Sequence, residues 1–345
     1  MKALVKTEKG VGFLELRDVP EPVNTGDEVL IEIKAAGICG TDVHVKHDEF
    51  PYWPPVILGH EFAGEIIAVG ANVKGGWQIG DRVVGEPHTK ACGVCPLCRT
   101  GNIQICPEKR SPGWGIDGAF AKYLAYPPHL LHRIPEGLSY VEAALAEPTA
   151  NIATDLLERA KVEPEDFVVV LGPGPIGLIA AQAAKAEGAR AVMIVGTNAD
   201  EALRLATARK LGIDHVVNLQ QEDPVAKCLE LTNGRGADLV VECSGAAPAI
   251  ASTVDYVRKL GRICAIGLTG KKPVQLDWDK FQGKVCTITF NMSTFYTSWD
   301  RSLSLLASGK VSAKDIITHE FPLAEWEAAF EAVEGLTALK AVLIP

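Results

Sequence analysis

Between residues 167 and 290 the chain alternates short apolar runs with alanine-rich segments of helical period, and this pattern limits its fold more than any other. The runs at Phe167–Leu171, 191–195, 238–241, 262–266 and 285–290 read as strands, and 176–187 and about 200–211 as helices. Strands that alternate with helices build βαβ units and a parallel sheet. Residues 167–184 hold no charged side chain over 18 positions, the lower edge of a membrane span. Gly172-Pro173-Gly174-Pro175 interrupts that stretch, so strand, turn and helix describe it better. The first ten residues, Met1 to Gly10, include three lysines and no apolar block like that of a secretory leader.

The turn itself carries chemistry. Gly172-Pro173-Gly174-Pro175-Ile176-Gly177 fits G-x-G-x-x-G between a strand and a helix, the context in which glycines let the backbone approach a pyrophosphate. The helix N-terminus then offers free N–H groups to the phosphates. Gly172, Gly174, Pro175, Ile176 and Gly177 are therefore expected to bind NAD or NADP. The next strand ends in Gly196-Thr197-Asn198, expected to flank the cofactor, with no acid at the tip to hold an NAD ribose. Asn198-x-x-Glu201 resembles a capping box, which would put Asp200 in the first helical turn. Arg204 and Arg209 follow. NAD and NADP both stay open.

Upstream, the sequence is β-rich, with β-branched runs at 29–33 and 65–69 and turn signals at Gly26-Asp27 and Gly80-Asp81. Cys92, Cys95, Cys98 and Cys106 fall within 15 residues. Four thiolates so spaced can close a tetrahedron around a structural zinc, and the spacing differs from ferredoxin patterns. A nucleic-acid zinc module is disfavoured by a formal charge of −9 and by the lack of a basic recognition helix. The same charge argues against an anionic membrane surface. Nine cysteines in a chain this long do not read as a disulfide framework, which suggests reduced thiols and a cytoplasmic setting. Cys228, Cys243, Cys264 and Cys286 read as small buried apolar groups.

A second set of metal donors lies outside the cysteine loop. Cys39-Gly40-Thr41-Asp42-Val43-His44, Gly59-His60-Glu61 and Glu147 supply a thiol, an imidazole and carboxylates, the mixed ligands of a catalytic zinc that keeps one position open. Singly, each has an ordinary reading as a packed or solvated residue. Together they resemble the zinc-dependent medium-chain alcohol dehydrogenases, in the branch of polyol and threonine dehydrogenases. Gly59-His60-Glu61-x2-Gly64-x5-Gly70-x2-Val73 matches that family's zinc signature, and the cysteine lobe, Gly80-Asp81-Arg82-Val83 and the glycine turn follow in order.

The resemblance implies that Cys39, His60 and Glu147 ligate the catalytic zinc and that Glu61 joins or leaves it. It implies that Asp42 orients His60, and that Thr41 takes the alcohol proton while His44 passes it to solvent through the cofactor ribose. The cysteine quartet would hold the structural zinc. The implied fold is α/β: a mainly β, GroES-like catalytic domain from residues 1–150 and 296–345, with a Rossmann domain, 151–295, inserted. Short helices at 299–306 and 324–332 and a strand, Lys340–Ile344, would end the chain. The implied activity is hydride transfer between a secondary alcohol, such as a polyol or diol, and NAD(P), by a homo-oligomer, tetramer or dimer. The partners would be a small-molecule alcohol or ketone, with no nucleic acid and no membrane. L-threonine 3-dehydrogenase is the alternative; the lack of an obvious carboxylate-binding arginine favours a neutral substrate. An inactive cofactor-binding protein would need neither ligands nor relay. His88 reads equally as a residue near the substrate or as a surface loop residue, and Phe50, Tyr52, Trp53 and Trp114 as pocket lining or packing.

Overall fold

A computed structural model describes residues 1–270 and 273–345. The chain forms two compact units. One comprises Met1–Ala150, Ser293–Ser308 and Ile317–Pro345, the other Asn151–Met292 and Gly309–Ile316. The C-terminal tail is thus divided differently from the expected run at 296–345: the segment Gly309–Ile316 packs with the second unit, where Ser312 N–H donates to Gln182 Oε1 at 2.9 Å.

The second unit holds a six-stranded parallel sheet in the order His215–Asn218, Ala191–Gly196, Phe167–Leu171, Ala237–Glu242, Val257–Ala265, Thr287–Phe290. In chain order this is 3-2-1-4-5-6, the doubly wound arrangement, whose order reverses between Phe167–Leu171 and Ala237–Glu242. All five residues of Phe167–Leu171 are buried, which explains their unbroken apolar run. Helix Pro175–Ala186 starts at the N-cap Gly174 and buries every residue from 177 to 184, four of them alanines that permit close approach to the sheet. The expected helix at 200–211 is instead three joined pieces: a 3₁₀ turn Asn198–Asp200, a π segment Glu201–Leu205 and an α segment Ala206–Lys210. Its capping box is Thr197 with Asp200, one residue earlier than expected. The strand expected at 262–266 begins at Val257, because its register against Ala237–Glu242 breaks between Ala237 and Leu239.

The first unit has a seven-stranded sheet: Ile317–Pro322, Lys340–Ile344, Val29–Gly37, Glu61–Val69, Arg82–Gly85 and Leu131–Arg133, with Tyr123–Tyr126 also paired to Val29–Gly37. A smaller sheet joins Leu14–Asp18, Lys2–Lys6 and Val56–Ile57. Leu4, Ile31, Ile66, Phe120 and Phe330 share one core. Two strands exceed the β-branched runs that announce them, because Ala35, Ala36 and Gly37, and Glu61, Ala63 and Gly64 around Phe62, continue the antiparallel ladder with few β-forming side chains. Gly37 pairs with Glu61, and Ala63 with Val84. This register brings the end of one strand, the start of the next and the end of Arg82–Gly85 to the same edge. The closing strand joins them, Val342 opposite Gly37.

Among the described residues no helix is long and apolar enough to cross a membrane. Ile31 is fully buried in the first core. Its replacement by alanine is expected to cost about 2–5 kcal/mol, read as a shifted denaturation midpoint; a loss below about 1 kcal/mol would show that this core does not hold the sheet.

Candidate active site

The shared edge gathers metal donors. Cys39 is the N-cap of helix Gly40–Lys46, and Asp42 is its third residue. Asp42 Oδ2 accepts from Cys39 N–H at 2.9 Å, and Oδ1 accepts from Gly59 N–H at 3.3 Å. The same oxygen lies 3.7 Å from His60 Nδ1, longer than a hydrogen bond. Asp42 thus ties the Cys39 segment to the Gly59–His60 segment. One donor atom each from Cys39, His60 and Glu61 lie within 4.8 Å of one another. Glu61 opens strand Glu61–Val69, and its carboxylate fits only because Gly37 opposite has no side chain: a Cβ there would stand 2.2 Å from Glu61 Oε2.

Burial opposes charge on His60, but Asp42 and Cys39 outweigh it and push the imidazole well above its usual range. Among the described residues the buried His60 Nδ1 has no hydrogen-bond partner. A soft thiol, an imidazole and a carboxylate with donor atoms this close fit a zinc ion. Trp114 sets its ring edge-on to His60, with centroids 4.8 Å apart, and Phe50 packs on Trp114. Tyr52 does not join them; it is buried against Lys6 and donates to Asp48 at 2.6 Å. Trp53 is half exposed beneath Arg110.

Glu147 stands outside the three-donor group. It is buried at the start of helix Ala146–Ile152, where its charge acts on Lys340 and Lys109. Sequence reasoning missed Lys340. This buried lysine pairs with Glu61 and donates to Ile38 O at 2.9 Å; burial opposes its charge, yet Glu61 and Cys39 raise its pKa. No motif marks it, since it lies nearly 280 residues from its partner. Thr41 lies next to the metal donors, 3.8 Å from Cys39 Sγ. His44 is one turn along, its Nδ1 2.9 Å from Glu49.

His88 is not a surface loop residue. It is buried, and its Nε2 lies 2.9 Å from Thr294 O, 3.0 Å from Thr294 Oγ1 and 3.5 Å from Glu86. A carbonyl only accepts, so Nε2 carries the proton and donates. Burial first, then Lys109, pushes His88 down to about 3, so it stays neutral.

The cysteine quartet forms a compact lobe. All four Sγ atoms lie within 4.8 Å of one another. Cys95 caps helix Pro96–Arg99, accepting from Cys98 N–H. Backbone N–H groups of Cys92 and Cys95 point at Cys106 and Cys92 sulfurs at 3.4 and 3.3 Å. Chiefly through that first bond the Cys106 thiol falls to about 7. Sulfurs this close, 3.9 Å between Cys92 and Cys98, are neither bonded nor apart, and fit a tetrahedral zinc. Of the remaining cysteines, Cys228 and Cys264 are buried, whereas Cys243 and Cys286 are only partly so.

In the second unit a cavity of about 700 Å³ lies at the reversal of strand order, lined by Gly172, Pro173, Gly174, Gly196, Thr197 and Asp200 among others. A Cβ on Gly177 would sit 1.9 Å from Gly172 O, so only glycine closes this turn. Asn198 N–H donates to Gln220, and its side chain accepts from Asn218, holding the loop after the second strand. Asp200 Oδ2 accepts from Thr197 N–H and Oγ1, and Oδ1 from Arg204, so its carboxylate is occupied as a cap. These residues fit a dinucleotide.

Cys95→Ser is expected to lower zinc content by about one ion per chain and weaken folding, by elemental analysis and thermal melting; an unchanged metal count would refute the lobe as a zinc site. Gly177→Ala should abolish nicotinamide-cofactor binding in a fluorescence titration, and retained affinity would show that the turn tolerates a side chain.

Comparison with known proteins agrees with this geometry. Residues 25–136 match the model of the alcohol dehydrogenase GroES-like domain, and residues 175–308 that of zinc-binding dehydrogenases. The chain is 39% identical to the sorbitol dehydrogenase of Halalkalibacterium halodurans, covering 100% of this chain and 99% of that one. It is 35% identical to the D-arabitol-phosphate dehydrogenase of Enterococcus avium, over 99% and 97%. Among solved structures, the alcohol dehydrogenase of Thermus sp. ATN1 superposes with a TM-score of 0.89 at 32% identity, over 100% and 99% of the chains. The chain therefore belongs to the zinc-dependent medium-chain alcohol dehydrogenase family, in its polyol and threonine dehydrogenase branch.

Proposed function

We propose that this protein, an NAD(P)-dependent zinc oxidoreductase of CH–OH groups, acts on a secondary alcohol of polyol or diol type. The observation that carries this reading is the convergence of Cys39, His60 and Glu61 beside the hydroxyl of Thr41. When bound, zinc supplies a Lewis acid for the alcohol oxygen, and NAD(P) accepts the hydride. The chain's own residues do the rest. Cys39 and His60 hold the metal, with Glu147 as the further ligand. Asp42 fixes where both segments stand and orients the His60 ring. Glu61, clamped by Lys340, is a carboxylate poised beside the metal. The Thr41 hydroxyl accepts the alcohol proton as it gives up its own, and His44, half-exposed with Glu49 beside it, exchanges a proton with water. In the second unit Gly172, Gly174, Pro175, Ile176 and Gly177 bind the pyrophosphate, and Gly196, Thr197 and Asn198 flank the adenosine end. Division of labour between residues 1–150 with 296–345 and residues 151–295 follows the same lines.

Threonine oxidation is the second reading, since it needs the same metal donors. The protein is further read as a cytoplasmic homo-oligomer, tetramer or dimer. The edge strand Thr287–Phe290 supports this, because Phe290 and nearby Val285 and Met292 are largely exposed.

The test is to mix zinc-loaded protein with NAD or NADP and a panel of polyols, diols and threonine, and follow absorbance of the reduced nicotinamide. Turnover of a polyol or diol is expected; no turnover at full zinc content would refute the enzyme reading. Thr41→Val should lower kcat by about 10²-fold or more with KM little changed, and a smaller loss would remove Thr41 from the proton path. Light scattering should give a mass above one chain's 36.8 kDa, and a monomer would overturn the oligomer.

A further inference from the structure

After strand Lys2–Lys6 the chain folds back as a strap, residues 7–13. Thr7 N–H donates to Phe13 O at 2.9 Å and closes it. Gly10 and Gly12 adopt φ of +115° and +80°, a region that favours glycine. Their carbonyls both accept from the Lys6 ammonium, each at 2.5 Å. Lys6 is completely buried beside the apolar Ala3, Leu4 and Val5, and burial pushes its pKa down against the pull of Asp48. A buried ammonium is costly unless its donors are satisfied, and here the strap satisfies them. Neither the metal centre nor the proton relay accounts for a charge at this position.

The strap grips two segments of the first unit. Gly12 N–H donates at 2.8 Å to the carbonyl of Lys46, the last residue of the helix Gly40–Lys46 that carries Thr41 and His44. Gly10 N–H donates to Tyr52 Oη at 2.9 Å, and that hydroxyl donates to Asp48 Oδ1 at 2.6 Å. Lys9 donates to Tyr52 O, and its ammonium lies 3.6 Å from the centroid of the Tyr52 ring. Tyr52 is thus held at its backbone, ring and hydroxyl, and loop 48–53 is held with it.

That loop meets both the relay and the surroundings of the metal donors. Glu49 N–H donates to His44 O at 2.8 Å, and Glu49 Oε2 lies 2.9 Å from His44 Nδ1. Trp53 N–H donates to Trp114 O at 2.8 Å, and Phe50 packs edge-on to Trp114 with centroids 5.5 Å apart. Trp114 in turn stands edge-on to His60 at 4.8 Å.

We propose that Lys6 and Tyr52 are positioning residues for the proton relay, holding loop 48–53 so that Glu49 orients the His44 ring. Both act through Glu49, and neither belongs to the metal set or the proton path. The inference rests on the dehydrogenase reading, and two readouts separate the two. In hydrogen–deuterium exchange of the zinc-loaded protein, Tyr52→Phe is expected to speed exchange in peptides covering 48–53 roughly tenfold, with strand Phe167–Leu171 unchanged. Lys6→Met, which keeps the side chain's length and removes its charge, should do so at least as strongly. With an alcohol that the wild type turns over, Tyr52→Phe should lower kcat about fivefold or more, with KM moving less than about twofold and zinc content unchanged. In a His44→Asn background the same substitution should cost less than about twofold in kcat, because the brace works through His44. A residue with only a structural role would give equal losses in the two backgrounds. Unchanged exchange in both variants, an unchanged kcat, or equal losses in the two backgrounds would overturn the proposal. Absent turnover by the wild type would overturn the dehydrogenase reading and the relay role with it, whereas the exchange result judges the brace by itself.

Discussion

The carboxylate of Asp42 holds the first unit's chemistry in place. It is buried, it accepts from the N–H groups of Cys39 and Gly59, and it faces the His60 ring. Cys39 arrives at the end of one strand and His60 just before another, so their proximity depends on a link between the two chain ends. A buried carboxylate persists only when its oxygens are satisfied, and these two are satisfied by the very segments that bear the ligands. The metal donors, the helix that carries Thr41 and His44, and the turn at Gly59 are thereby fixed by one side chain.

Around that link the charges alternate. Glu61 pairs with buried Lys340, the charge of Glu147 acts on Lys340 and Lys109, and Glu86 bridges His88 and His132. Such a network is costly to desolvate and is stable only when every member has a partner. Asp42, Glu61 and Lys340 meet that condition within the chain. Among the described residues His60 does not fully meet it, since its Nδ1 faces Asp42 at 3.7 Å without a hydrogen bond. The closed cysteine lobe contrasts with this open centre, since its four sulfurs would fill all four positions of a zinc ion and leave none for substrate.

Much of this is legible in the sequence. The glycine turn, the cysteine spacing and the Gly59-His60-Glu61 signature are local, and each needs only neighbouring residues to be recognised. Strand positions were found where β-branched side chains mark them, as at Phe167–Leu171. They were cut short where glycine and alanine extend the ladder, as at Val29–Gly37. The capping box after the second strand was misplaced by one residue, because Thr197-x-x-Asp200 and Asn198-x-x-Glu201 both fit the pattern and only the hydrogen bonds choose. Lys340 was invisible, because a lysine in a terminal apolar strand has no local signature.

The sequence by itself determined the donors, the dinucleotide turn and the alternation that requires a parallel sheet, since these depend on residue type and short spacing. Only the tertiary structure decided which groups are satisfied. Burial and pairing are set by segments far apart in the chain: Gly37 makes room for Glu61, Lys340 neutralises it, and Thr294 fixes the tautomer of His88. The cost of a buried polar atom depends on what surrounds it in space, and no reading of one segment contains that information.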